Sequence, residues 1–422
     1  MSHRRRRPLP LSPEVAHPLD DDDLLHEIML RLPPQPPHLL RASIISKRWR
    51  RLATDRKFLR RFRIHHRKPP LLGDFWEGNK LSFRSYLDPP YRIPPGRFSL
   101  RPRGSEQWTC LDCRHGRLLF DDWIKSQVIV WDPITDDLHM VPYPLQFHKS
   151  RIVLIQGGAV LCAAVDQGHV HGACHSSPFK VVVLSSYPHK DEAVNETITF
   201  ASVYSSETVG IWSDLVSTTL PWRVIMFPIR STLVGNTIHW LLAMNTTGIL
   251  EFDLDAQRLA VTKMPLGAPP CDHSVEIIQS EDGGVGFAAL SGPRYCPCLQ
   301  MWDRKVDPHG VITWVLRKTF ELQKILGLQS RIENDKLSML HYLDDVHAIF
   351  LRVQSSVYMV QLESMQSKEL GKSIHSCVYL PFTSFYTEGQ GKQVARASAF
   401  PPIKRKGKGV FTSSKQKQLI TG

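Results

Sequence analysis

The stretch GRLLFDDWIKSQVIVWDPITDDLHMVPYP, residues 116–144, contains a strand, a polar turn, a second strand ending in VWDP, and a short third strand that closes on proline. Its aromatic and branched residues alternate with polar ones, which is the period of a β-strand with one buried face. The Asp, Pro and Thr residues between these runs are typical of turns. The stretch therefore predicts antiparallel strands joined by tight turns.

This unit recurs along the chain. Residues 234–265 repeat it, with EFDLDAQR in the place of VWDPITDD, and looser copies occupy residues 298–316 and 343–370. A hairpin cannot bury its apolar face alone, so successive units must stack or close into a ring. At about 40 to 50 residues per four-stranded unit, residues 100–392 predict an all-β, propeller-like domain of about six blades. A β-sandwich array is the alternative.

A different pattern occupies residues 19–66 and indicates helices. After an acidic cluster that can cap a helix N-terminus, apolar residues recur at helical spacing as far as Leu32, and the prolines that follow stop the helix. A second helix is predicted from Pro36 or Pro37, because proline suits the first turn, and Thr54 can cap a third. Three helices in roughly 45 residues make a core barely sufficient for folding alone. We therefore expect the apolar stripe to be buried against a partner protein.

The net charge of +13 is concentrated in a few segments. Residues 41–68 hold 12 Lys or Arg against one Asp, residues 4–7 are four arginines, and residues 391–422 hold eight basic residues and no acidic one. The large middle of the chain is consequently net acidic, which argues against a broad phosphate-binding face there. Between 41 and 68 the basic residues alternate with apolar ones at helical spacing, which indicates a solvated basic face and disfavours nucleic-acid binding.

The composition limits which class of protein this is and in which cellular compartment we expect it. A hydrophobic content of 42% is typical of a folded globular chain. No apolar run reaches the ~18 residues that a membrane span needs, and no apolar segment follows the basic N-terminus as in a signal peptide. Eight cysteines in 422 residues are too few for a disulfide scaffold. We therefore expect no membrane association and a location in the nucleus, the cytoplasm or both.

The two ends of the chain have a different composition. Residues 1–18 are rich in Arg and Pro and residues 393–422 are basic, so we expect both to be disordered. Residues 4–7 and 401–410 are candidate nuclear-import signals, with a plain basic disordered end as the alternative.

Several short motifs resemble parts of metal-binding, phosphate-binding or dinucleotide-binding sites. Cys110 and Cys113 form a C-x-x-C with His115 nearby, and HVHGACH (residues 169–175) adds three histidines and a cysteine. Their separation matches no standard zinc finger, so we predict no metal site, no cofactor, and reduced cysteines with loop histidines. The letters GKS and GVGFAA lack the loop and helix that phosphate or dinucleotide binding requires. No catalytic motif has its structural context, which predicts a protein that is not an enzyme.

Residues 19–62 resemble an F-box, whose pattern runs Leu-Pro, acidic, Leu-Leu-x-Glu-Ile-Leu-x-Arg-Leu-Pro, and later Lys-x-Trp-Arg-x-Leu. Residues 58–75 resemble the segment that follows the F-box in a large plant, especially grass, subfamily. VWDPITDDLHMVPYP (residues 130–144) resembles the recurrent unit of that subfamily's F-box-associated β-propeller. The F-box resemblance is carried by Leu24, Leu25, Glu27, Ile28, Arg31, Leu32, Pro33, Leu40, Arg41, Ile45, Lys47, Trp49, Leu52 and Phe58.

The sequence departs from the F-box pattern at two places. Asp20 and Asp21 stand where the opening Leu-Pro is expected, and Ser46 replaces the usual cysteine. These differences would lower the affinity for an adaptor protein, although the main apolar stripe is intact.

The resemblance implies an α+β multidomain protein, with a three-helix F-box at 19–66, a linker at 67–99 and an F-box-associated β-propeller at 100–392. Such F-boxes dock on the Skp adaptor of a cullin–RING ubiquitin ligase. The chain would then be a non-catalytic substrate-recognition subunit of an SCF-type ligase, whose propeller binds an unknown target protein. The adaptor-binding residues that the resemblance implies are Leu24, Leu25, Ile28, Leu32, Leu40, Ile44 and Trp49.

Two other classes of function stay open from the sequence. One is an F-box-like interaction scaffold outside the ligase. The other is a basic nucleic-acid-associated regulator, whose binding through residues 1–68 would depend steeply on salt. The residues that read a target cannot be named, because propeller loops vary without a letter code.

Overall fold

The computed structural model describes residues 19, 21–77, 81–100, 108–149, 155–166, 168–189, 196–208, 211–221, 230–242, 248–265, 274–292, 296–328, 337–372 and 379–386. The predicted disordered ends, 1–18 and 393–422, lie outside these residues, as does Asp20. The described part of the chain is a helical module followed by a six-bladed β-propeller, which confirms the predicted fold class.

Within the described residues the helical module has four helices, so the predicted count of three was wrong. The predicted second helix is interrupted at Ser46, whose backbone is extended (φ −157°, ψ 165°) and whose hydroxyl accepts a hydrogen bond from the Trp49 N–H at 3.2 Å. A serine that caps the N-terminus in this way begins a new helix. The helices are α1 (Asp22–Leu30), α2 (Pro36–Ile45), α3 (Lys47–Thr54) and α4 (Arg56–His66).

The module has a small core of its own. Side-chain carboxylates of Asp21 and Asp55 cap α1 and α4, which fixes where these helices begin. One face of each helix then turns inward and packs against the others. The buried core consists of Leu25, Met29, Leu30, Leu39, Ala42, Leu52, Ala53, Phe58 and Phe62.

The rest of the described chain is almost entirely β-strand, with two short helices, α5 (Leu145–Lys149) and α6 (Leu322–Leu326). The strands are β1 (Leu71–Glu77), β2 (Leu81–Ser85), β3 (Thr109–Arg114), β4 (Arg117–Asp122), β5 (Gln127–Asp132), β6 (Asp137–Pro142), β7 (Gly157–Cys162), β8 (Phe179–Pro188), β9 (Thr197–Ser205), β10 (Val216–Leu220), β11 (Ser231–Val234), β12 (Thr237–Leu242), β13 (Gly248–Asp253), β14 (Arg258–Lys263), β15 (Val275–Gln279), β16 (Val285–Ser291), β17 (Cys298–Val306), β18 (Ile312–Glu321), β19 (Leu337–Leu343), β20 (Ala348–Val353), β21 (Ser356–Gln361), β22 (Ser367–Lys372) and β23 (Tyr379–Thr383).

These strands form six antiparallel sheets within the described residues, arranged as the blades of a ring. Blades 1 to 5 are the consecutive four-stranded sheets β3–β6, β7–β10, β11–β14, β15–β18 and β19–β22. The first strand of each blade contacts the first strand of the next, and β23 contacts both β19 and β3. This closed ring of inner strands is that of a propeller and excludes the sandwich alternative.

Blade 6 closes the ring and is made from both ends of the propeller sequence. Its inner strand is β23, which pairs with β1, which in turn pairs with β2. Residues 67–99, predicted as a linker, therefore supply two strands of the propeller, and the domain begins at Leu71 instead of residue 100. The linker prediction failed because blade 6 is divided between distant segments and shows no contiguous repeat.

The recurrent Asp-rich turn has the same conformation in blades 1 and 3. The carboxylate of Asp132 accepts hydrogen bonds from the N–H groups of Ile134 and Thr135, at 2.9 and 3.3 Å. Asp253 holds the two corresponding N–H groups of blade 3 at 2.9 and 2.8 Å. This is the side-chain-to-backbone bonding for which Asp is favoured in turns.

Blade 6 contains an aromatic core. Phe382 of β23 lies 5.3 Å from Phe75 of β1 and 5.7 Å from Phe98, measured between ring centroids, and Phe83 of β2 lies 5.0 Å from Phe98. All four rings are buried. Edge-to-face aromatic packing of this kind adds to the free energy gained by burial. The two ends of the propeller sequence are thus joined by backbone pairing and by this cluster.

We expect Phe382→Ala to lower the free energy of unfolding by about 3 to 5 kcal/mol, because it leaves a cavity among three other phenyl rings. Thermal and urea unfolding of the full chain measure the effect. Trp123→Ala is the matched control, since Trp123 is 47% exposed, and its effect should stay within about 0.5 kcal/mol. Equal losses in the two variants would contradict the role given to the blade 6 cluster.

Candidate functional site

The helical module exposes an apolar face on α1 and at the end of α2. Leu24 and Ile28 are separated by four positions, so they share one side of α1, and their side chains are 48% and 44% exposed. Ile44 and Ile45, in the last turn of α2, are 71% and 61% exposed. Exposed aliphatic side chains of this kind are candidates for contact with another protein. We call these four residues the apolar face.

The seven residues predicted to bind an adaptor differ in how far they are buried in the structure. Leu24, Ile28 and Ile44 belong to the apolar face, whereas Leu25 is fully buried in the module's own core. Leu25 lies about 100° around the helix from Leu24, and it packs inward with Met29. Leu32, Leu40 and Trp49 are half-buried, and both Leu32 and Trp49 pack against the core.

Ile45 was not among the predicted contacts. The sequence carries a signal for it, since Ile45 stands at a position of the F-box resemblance, but two adjacent isoleucines do not reveal which one faces outward. In the structure both are exposed, because α2 ends there and the chain turns at Ser46.

The basic residues of α3 and α4 are partly neutralised by the acidic residues of α1. Arg48 lies 2.6 Å from a carboxylate oxygen of Asp22, and Arg61 lies 3.0 Å from a carboxylate oxygen of Glu27. Arg31 also pairs with Glu27 at 3.1 Å. These pairs are half-exposed or exposed, so each contributes little to stability. They neutralise part of the positive charge of the module, which agrees with the prediction of a basic face exposed to solvent.

The centre of the propeller contains a buried charge network around Arg114, at the end of β3. Its guanidinium donates to Asp112 Oδ2 and Ser231 Oγ, each at 3.0 Å, to the Ser231 carbonyl at 2.8 Å, and to Asp344 Oδ2 at 3.0 Å. Asp112 also accepts from the Val160 N–H at 2.9 Å. One side chain therefore connects groups from blades 1, 3 and 5, and its partner Asp112 adds blade 2.

Burial dominates the electrostatics of this network. Asp112 is 5% exposed, and burial raises the pKa of its carboxyl to about 6 despite the neighbouring Arg114. Arg114 and Asp112 form hydrogen bonds with each other and with groups of the surrounding blades. A structural role, in which this pair clamps the blades together, therefore accounts for the buried charges. The arrangement joins blades and needs no substrate to account for it.

The cysteines and histidines that the sequence analysis considered, and did not predict, as zinc ligands do not all come together. Cys110 and Cys113 are buried in the propeller core, where their thiols lie within hydrogen-bonding distance of the carbonyls of Leu119 and Pro381, at 3.5 and 3.4 Å. Two histidines and the cysteine of HVHGACH instead meet Cys162, which the sequence did not single out. The group that could hold a metal ion consists of Cys162, His169, His171 and Cys174.

Comparison with known proteins identifies the domain that the N-terminal helices form. A family model described as the F-box domain matches residues 21–61. These residues form an F-box domain. They coincide with α1 to α3 and the first half of α4, and include the whole apolar face.

The remaining comparisons concern the whole chain. No curated protein matches it. Among solved structures, it is similar to a chain in the crystal structure of a nidogen/laminin complex, with 7% sequence identity and a TM-score of 0.35, covering 71% of this chain and 94% of that one. Across the described residues, none of the helices has the length and apolar character required to cross a membrane.

We expect Arg114→Met to lower the free energy of unfolding by about 3 to 5 kcal/mol, because it leaves the buried Asp112 and the partly buried Asp344 without a cation. Adding Asp112→Asn should restore part of this loss, since one of the stranded charges is removed. Arg258→Met, at an exposed position of β14, is the control and should change stability little. Thermal unfolding of the four proteins measures this, and no recovery in the double variant would contradict the clamp.

Proposed function

We propose that this protein is the substrate-recognition subunit of an SCF-type (Skp–cullin–F-box) ubiquitin ligase. The observation that carries the proposal is an F-box domain whose Leu24, Ile28 and Ile44 remain exposed on the surface. These side chains have no covering partner within the described residues, although the same helices do bury a separate core. An adaptor of the Skp type, bound there, would cover them.

The propeller is the part of the chain that would bind the target protein. A ring of six blades presents many loops at its two ends on a rigid scaffold, which is the arrangement in which proteins carry recognition residues. The chain itself would do no bond chemistry. It would raise the effective concentration of target lysines near a ubiquitin-charged enzyme held elsewhere in the complex by the cullin and RING subunits.

The supporting contacts favour a fixed geometry between the two parts. Arg41 of α2 donates to the Tyr91 hydroxyl at 2.8 Å, and Lys68 pairs with Glu363 of blade 5 at 2.8 Å. Side chains of α2 and α4 also line an apolar cleft with Phe385 and Tyr386, which follow β23. A recognition subunit whose two parts are joined in this way would hold its target at a defined position relative to the adaptor.

The test is binding of the full chain to a Skp adaptor, comparing the wild type with Leu24→Asp plus Ile28→Asp. Both positions are about half exposed, so the carboxylates stay solvated in the free protein and the fold is retained. In the complex they would be buried without a partner, which should weaken binding more than 100-fold, corresponding to about 3 kcal/mol or more. Isothermal titration calorimetry measures the affinities.

The matched control is Ile124→Asp plus Ile211→Asp, which places two charges at positions of the propeller that are 57% and 65% exposed. This variant should bind the adaptor as the wild type does. Leu25 is unsuitable for the test, because a charge there would unfold the module. Failure of the wild type to bind any Skp adaptor would overturn the proposal. Binding of the adaptor without cullin in cell extracts would favour an interaction scaffold outside the ligase.

A further inference from the structure

Four side chains with affinity for soft metals converge in the segment that connects β7 to β8. Cys162 ends β7, and His169, His171 and Cys174 follow within twelve residues, in the order C-x6-H-x-H-x2-C. One nitrogen or sulfur atom from each lies within 4.8 Å of the others. Cys174 is buried and the other three are half-buried, so the group is at the edge of the propeller interior and can be reached from solvent.

The separations between these atoms are compatible with tetrahedral coordination of one ion. Three of the six are given by His169 Nε2, 3.3 Å from Cys162 Sγ and 3.4 Å from Cys174 Sγ, and by His171 Nδ1, 3.7 Å from Cys174 Sγ. Around a tetrahedral zinc ion with Zn–S of about 2.3 Å and Zn–N of about 2.05 Å, a sulfur and a nitrogen ligand are roughly 3.6 Å apart. The observed distances bracket that value.

We propose that Cys162, His169, His171 and Cys174 bind one Zn²⁺ ion as a structural site. Two cysteines and two histidines form a closed four-coordinate set, which leaves no position for a water or a substrate. Thiolate and imidazole ligands also favour zinc over magnesium or calcium, which require oxygen ligands. The proposal does not depend on the ligase function.

Zinc binds cysteine as the thiolate. Binding of Zn²⁺ would therefore release to solvent any proton that the thiols of Cys162 and Cys174 carry, and would leave two thiolates.

A second layer of residues orients the ligands. The Cys162 N–H donates to His115 Nδ1 at 3.1 Å, and the His115 ring stacks on His171 with 3.7 Å between ring centroids. Because His115 Nδ1 accepts this hydrogen bond, that nitrogen carries no proton. On the other side, the Arg117 guanidinium donates to the carbonyls of Cys174 and Ser177. Outer contacts of this kind fix ligand orientation in metal sites.

The other histidine of the segment has a different partner. His175 Nδ1 lies 2.7 Å from Asp132 Oδ2, at the Asp-rich turn of blade 1. This hydrogen bond holds His175 beside blade 1 and explains why three closely spaced histidines contribute only two to the cluster.

The ligand-bearing segment packs at the junction between the F-box domain and the propeller. The Gly172 carbonyl accepts from the Phe385 N–H at 2.8 Å and from the Ser384 hydroxyl at 2.9 Å, just beyond β23. Gly172 has φ +92°, and a Cβ there would lie 2.5 Å from Pro69 Cβ, so only glycine fits. Elsewhere in the same segment, a Cβ on Gly168 would lie 3.3 Å from Cδ1 of Ile64 in α4. A bound ion would therefore fix the segment against the last F-box helix and the closing strand.

The first measurement is the metal content of the full chain, purified under reducing conditions without a histidine tag. Elemental analysis should find about one zinc per chain in the wild type and none in Cys162→Ser plus Cys174→Ser. Cys296→Ser plus Cys298→Ser is the matched control, because these two cysteines belong to no metal-ligand group among the described residues, and this variant should keep the metal. Cobalt in place of zinc should give the intense visible absorption of a tetrahedral thiolate site in the wild type and in the control, and not in Cys162→Ser plus Cys174→Ser.

A second measurement covers the case in which the double serine variant does not fold. Chelation of the wild type should lower its melting temperature, and titration of the chelated protein with Zn²⁺ should restore it as the ion binds the folded state. Magnesium at the same concentration should have no effect.

The proposal is overturned if wild type and double serine variant carry equal zinc, or if added zinc leaves the melting temperature of the chelated chain unchanged. It is equally overturned if the wild type contains no metal and mass spectrometry shows the loss of two hydrogens between Cys162 and Cys174. That result would assign the pair to a disulfide.

Discussion

The pairing of β23 with β1 is the contact on which the rest of the structure depends. Each of the other five blades that the structure describes is formed by one continuous segment of the chain. Blade 6 alone joins strands about 300 residues apart, so its formation closes the longest loop in the propeller. Without it, the inner strands of blades 1 and 5 would lack their neighbour, β23, and each would present an open flank. The buried phenyl rings of blade 6 offset the entropy of that closure.

The sequence predicted the propeller from the blades whose local chemistry is clearest. Blades 1 and 3 repeat the same Asp-capped turn, and blades 4 and 5 contain looser copies of the unit. The described residues of blade 2 show no such turn. Its first two strands are separated by residues 163–178, here called the Cys-His segment because they carry His169, His171 and Cys174, and this segment interrupts the repeat. Blade 6 could not be found by periodicity at all, because a repeat search compares contiguous segments. What was missed therefore depends on long-range pairing, which no local pattern records.

The candidate site was predicted in outline and not in detail for similar reasons. The apolar positions of α1 identified a helix with a broad apolar surface, but Leu24 and Leu25 are both leucine, and composition does not show which of them faces the core. Ser46 carried the information for a helix break, since a serine followed by a helical run is a capping signal, and the break follows from it. The metal-ligand cluster needed the fold, because Cys162 ends a strand and has no short-spaced cysteine partner to mark it.

Ring closure and the position of the F-box domain are physically linked. The chain leaves α4 and enters β1 within five residues, and β1 pairs with β23, so the F-box domain ends beside the strand pair that closes the ring. The Cys-His segment reaches the same junction, since Gly172 lies beside Pro69 and Gly168 lies beside Ile64 of α4. Both the closing strand pair and this segment therefore restrain α4. If the protein has the ligase function proposed above, loosening either of them would let the distance between adaptor and target vary. For a protein acting by proximity, this rigidity would be the property that matters most.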